Sequence, residues 1–168
     1  HSGMEIGKNR RNMIKTIAEF IKESGLSIAS VNCGNKDNAI PRVGELVIEN
    51  SEKLDELIAK FTEKYNGEEQ LTIDKKIFKG KVLTNALKDV LVEVLEALPT
   101  GVNTQDETGI ISSSNLAIVQ TTENEILIRD SIRSSSLSIF ADMKSSFAKI
   151  AEKLGLKHEF LGGYPSWE

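Results

Sequence analysis

One order of periodicities, helix, strand, strand, helix, strand, runs through residues 9 to 77 and returns in 80 to 161. In the first pass Met13, Ile14, Ile17 and Ile21 recur at helical spacing and stop at Ser24-Gly25. Leu54, Leu57, Ile58, Phe61 and Tyr65 make a second stripe, entered through Asn50-Ser51 and left at Asn66-Gly67. Between them, 26–33 and 43–49 read as strands joined by the turn-rich Gly34-Asn35-Lys36-Asp37-Asn38, and Leu71, Ile73 and Ile77 alternate with polar residues as a third. In the second pass Val82, Leu87, Leu91, Val94, Leu95 and Leu98 give a helix a wide apolar face. Pro99 ends it, because proline cannot continue the ladder. A polar loop follows, then a hairpin of 115–121 and 125–133, a helix over 137–154 stopped by Gly155, and a last strand over 156–161.

This order predicts an α+β two-layer sandwich, with helices packed on one face of a mainly antiparallel sheet. The unit is a tandem repeat of the ferredoxin-like split β-α-β-β-α-β type, residues 1–78 and 79–168, each lacking a strand before its first helix. Along 125–133 a period of two puts Ile126, Ile128 and Ile132 on one face and Arg129 and Arg133 on the other. The arginines then face away from the helices.

With 168 residues and 39% apolar content the chain can bury one good core. A net charge of -4 with scattered Lys and Arg leaves no electrostatic footprint for nucleic acid or an anionic membrane. Cys33, the single cysteine, can form no internal disulfide, and no run is apolar enough for a span or a signal peptide, so a cytoplasmic location is expected. A start at His1 rather than methionine fits a segment of a longer polypeptide.

Chemical motifs are scarce. No nucleophile elbow, His-Glu-x-x-His, phosphate-binding glycine loop or Cys-x-x-Cys occurs. Two histidines and one cysteine far apart would leave a zinc site dependent on carboxylates. His158, between Leu156 and Phe160, reads as a buried or interface histidine on a strand, and Cys33 as a small core residue.

Five short segments carry more information in order than singly: His1-Ser2-Gly3-Met4-Glu5-Ile6, Gly34 to Arg42, Ser113-Ser114-Asn115-Leu116, Ile132-Arg133-Ser134-Ser135 and Gly162-Gly163-Tyr164-Pro165-Ser166-Trp167. Together they resemble the inserted lid, or dimerisation, domain of aminoacyl-histidine dipeptidases, which belong with carnosinase, peptidase V and carboxypeptidase G among zinc-dependent exopeptidases. The resemblance runs from His1 to Trp167. Gly7, where a second histidine is expected, and Ser166, in place of a glycine, depart from it.

The resemblance implies a parent enzyme that hydrolyses small dipeptides, Xaa-His among them, at two zinc or other divalent ions held by a catalytic domain absent from this chain. It implies no metal ligand or cofactor here, and no hydrolysis by this chain alone. His1 matches a histidine that hydrogen-bonds the oxyanion, Asn38 or Asn115 an amide that holds substrate, and Arg133 a guanidinium. Arginine suits a carboxylate because its planar fork donates two hydrogen bonds. Relatives commonly pair through the lid; a second stripe of Ile139, Met143 and Ile150 on the 137–154 helix would serve a homodimer, or else pack on the preceding helix. The reading from another class is a free-standing α/β module whose Arg129 and Arg133 capture an amino acid or small anion.

Overall fold

The computed structural model describes residues 12–49, 51–64, 82–122 and 125–160, without the side chains of residues 61, 62 and 64. Its elements are α1 (Met13–Ser24), β1 (Ile28–Cys33), β2 (Gly44–Ile48), α2 (Leu54–Lys64), α3 (Asn85–Ala97), β3 (Gly101–Asp106), β4 (Gly109–Thr121), β5 (Ile126–Ser134) and α4 (Leu137–Lys153). All strand pairs among the described residues are antiparallel. The protein is an α+β sandwich: Ile14, Ala18 and Ile21 of α1 and Leu95 of α3 meet Ile28 and Val31 of β1 and Leu116 of β4 in one solvent-free core.

Local chemistry accounts for the helix ends. Asn12 caps α1 by accepting from the Ile14 N–H, and Gly25, at φ 66, closes it in the left-handed region that glycine enters without a Cβ clash. The Thr84 and Ser136 hydroxyls cap α3 and α4 in the same way. Lysine 15 supplies what α3 lacks at its other end. Its ammonium lies 2.6 Å from the Leu95 carbonyl and 3.0 Å from that of Glu96, and also meets the Leu98 carbonyl. A cation on those orphan carbonyls also opposes the negative end of the helix dipole.

Two expected features are corrected. The polar stretch after Pro99 is not a loop: β3 and the first half of β4 form a hairpin whose turn is Asp106 to Gly109. The Thr108 main-chain and hydroxyl groups both donate to the Asp106 carboxylate and hold its pKa below the usual range. The last strand does not form over 156–160. Leu156 instead donates its N–H to Ala151 at 2.8 Å, closing the end of α4, and the Lys144 ammonium sits 4.9 Å from the Phe160 ring. His158 is exposed beside Phe160, with no strand around it. The 71–77 strand and most of the chain before α1 lie outside the described residues, so the tandem repeat of 1–78 and 79–168 is not traced in full. On α4, Met143 is buried and Ile150 packs on the core, so part of the second apolar stripe is covered within the chain.

β4 is the axis of the sheet. β5 runs along one edge, while β1 and β3 share the other, β1 near Gln120 and β3 up to Ser114. Leu116 falls in the gap between them, where its peptide group has no strand partner on that side. The Asn12 amide donates to its carbonyl at 2.8 Å, and its N–H donates to the Thr100 hydroxyl at 3.0 Å. Asn12 thus caps a helix and completes a sheet edge at once. Asn12→Ala should destabilise the fold by about 2 to 4 kcal/mol, the sum of a lost cap and a buried carbonyl left unpaired. Asn12→Asp should recover only the cap. Urea unfolding followed by circular dichroism checks both.

Candidate functional site

The face of the sheet away from the helices carries the polar groups. Along β5 the exposed Arg129, the partly covered Ser131 and the exposed Arg133 follow one another at a period of two, and Asn115 of β4 lies opposite Ser131 in register. Over this face folds the connection between β1 and β2. Gly34 makes that approach possible: its φ is 83, and a Cβ there would stand 1.9 Å from the Ala117 carbonyl oxygen, so any other residue would push the connection off β4.

Three side chains hold the connection down. The Asn115 amide donates to the Ala39 carbonyl at 2.7 Å and to that of Asp37 at 3.2 Å, and the Ser131 hydroxyl donates to the same Asp37 carbonyl at 2.8 Å. Arg129 completes the set with an ion pair to the Asp37 carboxylate at 3.2 Å. At the far end Ile40 is buried, and the Pro41 carbonyl accepts from the Met13 N–H at the start of α1. Asn38 is left exposed between two pinned neighbours.

The residues expected at a site therefore separate. Asn38 and Arg133 are exposed, and Arg133 has no ion pair among the described residues. Asn115 is only 5% exposed; both its N–H groups are used on the loop, and its Oδ1 has no hydrogen-bond partner among the described residues. Arg129 is not a second free guanidinium, since Asp37 occupies it. His1 lies outside the described residues. Burial pushes the Cys33 thiol up to about 12, which removes it as a nucleophile near neutral pH. Among the described residues no three His, Cys, Asp or Glu side chains converge as metal ligands, and no helix is long and apolar enough to cross a membrane.

Asp130 was not anticipated, although the pattern contained it. The alternation that turns Ile126, Ile128 and Ile132 inward turns Asp130 inward too. It lies in register with the fully buried Leu116, and neither carboxylate oxygen has a hydrogen-bond partner among the described residues. Burial raises its pKa from 3.8 to about 8, against the pull of the Lys15 ammonium. Burial in turn lowers the pKa of Lys15, while Asp130 and Glu96 hold it up.

Comparison with known proteins gives this face a context. No protein-family model matches the chain. The cytosol non-specific dipeptidase of Escherichia coli (strain K12) is 28% identical over the whole of this chain, which spans 38% of that protein. The crystal structure of aminoacylhistidine dipeptidase from Vibrio alginolyticus superposes with a TM-score of 0.83 at 27% identity, over 98% of this chain and 37% of that one. The chain thus spans little more than a third of either relative, and the similarity extends through both sequence and fold.

A buried acid with a raised pKa makes stability depend on pH in a defined direction. The folded state keeps a proton that the unfolded chain releases, so stability should fall as pH rises from about 4 to about 8 and level off above. Asp130→Asn should flatten that slope. It should leave stability nearly unchanged at the acid end and raise it by on the order of 1 to 3 kcal/mol or more at the alkaline end, where the folded state otherwise has to hold a buried charge. Urea titrations across this pH window read the effect.

Proposed function

We propose that this chain is the lid and dimerisation part of a metal-dependent dipeptidase, closing over small dipeptides such as Xaa-His and supplying polar contacts rather than the bond-breaking centre. The observation that carries the reading is the match of the whole chain, in sequence and in fold, to about a third of two dipeptidases. No three His, Cys, Asp or Glu side chains converge as ligands among the described residues, and we assign the metal to the catalytic domain of the parent enzyme. There it would supply an activated water and polarise the peptide carbonyl.

The groups assigned to this chain act by binding and orienting. Arg133, exposed and without an ion pair among the described residues, receives the substrate carboxylate through two parallel N–H bonds. Asn38 offers an exposed amide from the pinned loop. Asn115 presents no polar atom to a ligand, since its N–H groups are committed to the loop carbonyls and its Oδ1 is buried, so of the two candidate amides Asn38 is the one assigned to the substrate. His1, assigned by resemblance to the oxyanion, completes the set. A free-standing module that captures an amino acid or small anion is favoured by one observation, the open Arg133 on the sheet face.

The two readings differ in what the gene encodes and in what the protein does. Under the dipeptidase reading the reading frame continues past both ends of this segment, the long protein releases histidine from an Xaa-His dipeptide, and the 168-residue chain with added zinc does not. Arg133→Ala in the long protein should lower kcat/KM by about ten- to a thousandfold, the loss of about 1.5 to 4 kcal/mol of charge-assisted contact. Unchanged kinetics would remove Arg133 from the site. Turnover by the short chain alone would overturn the assignment.

A further inference from the structure

We propose that Asn115, Arg129 and Ser131 form a clamp that sets residues 34–39 in advance, so that Asn38 faces the same small dipeptide as Arg133 and Asn115 serves as a positioning residue. The inference rests on the dipeptidase reading above and adds a residue that acts through another.

Three independent contacts from two neighbouring strands converge on the residues flanking Asn38, and none of them touches the Asn38 side chain. The Asn115 amide bridges the carbonyls of Asp37 and Ala39, one on each side of it; Ser131 binds the first of these carbonyls, and Arg129 binds the Asp37 carboxylate. A turn residue held this way loses little further conformational freedom when a ligand arrives, so less of the contact energy is spent on ordering it. The clamp also shares its strand with the second contact. Arg133 follows Ser131 by two residues on the same face of β5, so one hairpin sets both the exposed amide and the exposed guanidinium. A buried asparagine in a sheet would be costly if it only filled space, and its two donated bonds across 76 and 78 residues of sequence offset that cost.

The test is a mutant cycle in the full-length dipeptidase, with amide hydrogen exchange on the same proteins. Asn115→Ala should speed exchange of the 34–40 amides at least tenfold while α1 and α3 stay protected. Asn38→Ala and Asn115→Ala should each lower kcat/KM on an Xaa-His dipeptide about tenfold, and the double variant should be no worse than either single, because one acts through the other. Ser131→Ala, at a less buried position, should give a smaller loosening and a smaller kinetic loss in the same direction if Asn115→Ala fails to fold. Additive losses, or unchanged exchange in the 34–40 segment, would overturn the clamp while leaving the site reading intact if Arg133→Ala still impairs catalysis. No effect of Arg133→Ala would overturn the site reading itself, whatever the exchange shows.

Discussion

A buried peptide group must find a hydrogen-bond partner, and at Leu116 the sheet does not provide one on both sides. β1 and β3 approach the same edge of β4 from opposite ends and leave a gap between them. Asn12 and Thr100 fill it from the start of α1 and the turn before β3, so the helical layer and the sheet are joined at the centre of the core. The rest follows from that junction. α1 lies over β1 and β4, its Lys15 reaches the end of α3, and the loop ending in Pro41 is held against the α1 N-terminus.

The central strand is polar where a buried strand is ordinarily apolar. Ser112, Ser113, Ser114 and Asn115 are all buried. Ser114 donates to the Pro99 carbonyl at 2.9 Å, Ser112 accepts from the Asn103 amide at 2.8 Å, and Asn115 binds the loop. Ser114 and Asn115 tie β4 to connections and Ser112 ties it to β3, so the strand organises the loops around it as well as its sheet neighbours. The proposed substrate contacts lie on this face, where the neighbouring side chains are held by hydrogen bonds across long stretches of sequence.

Helices and paired strands were legible wherever one apolar period ran unbroken, as in α1, α3, α4 and β5. The β3 hairpin was not, because Gly101–Asp106 is mostly exposed and polar on both faces and carries no alternation. The expected last strand had alternation without a place to pair: after Gly155 the chain is turned back along α4 by its own capping bonds and by the rings near Lys144. Asp130 occupies an inward rank among Ile126, Ile128 and Ile132, and a single carboxylate there leaves the apolar period of the strand intact. Of the site, the order of segments pointed to Asn38, Asn115 and Arg133, but it could not separate an exposed amide from a buried one.

Local covalent and steric preference belongs to the sequence: where a helix can start and stop, which side of a strand is apolar, and that Gly34 can take a backbone other residues resist. These depend on neighbours within a few positions, so they can be read in order along the chain. What the fold alone decided is partnership at distance. That Asn115 holds residues 37 and 39, that Asp37 occupies Arg129 and leaves Arg133 open, and that Lys15 caps α3 near a buried acid all depend on groups tens of residues apart being brought within hydrogen-bond reach. A one-dimensional pattern contains the donors and acceptors but not their separations, and hydrogen bonding falls away within about an ångström of its optimum distance.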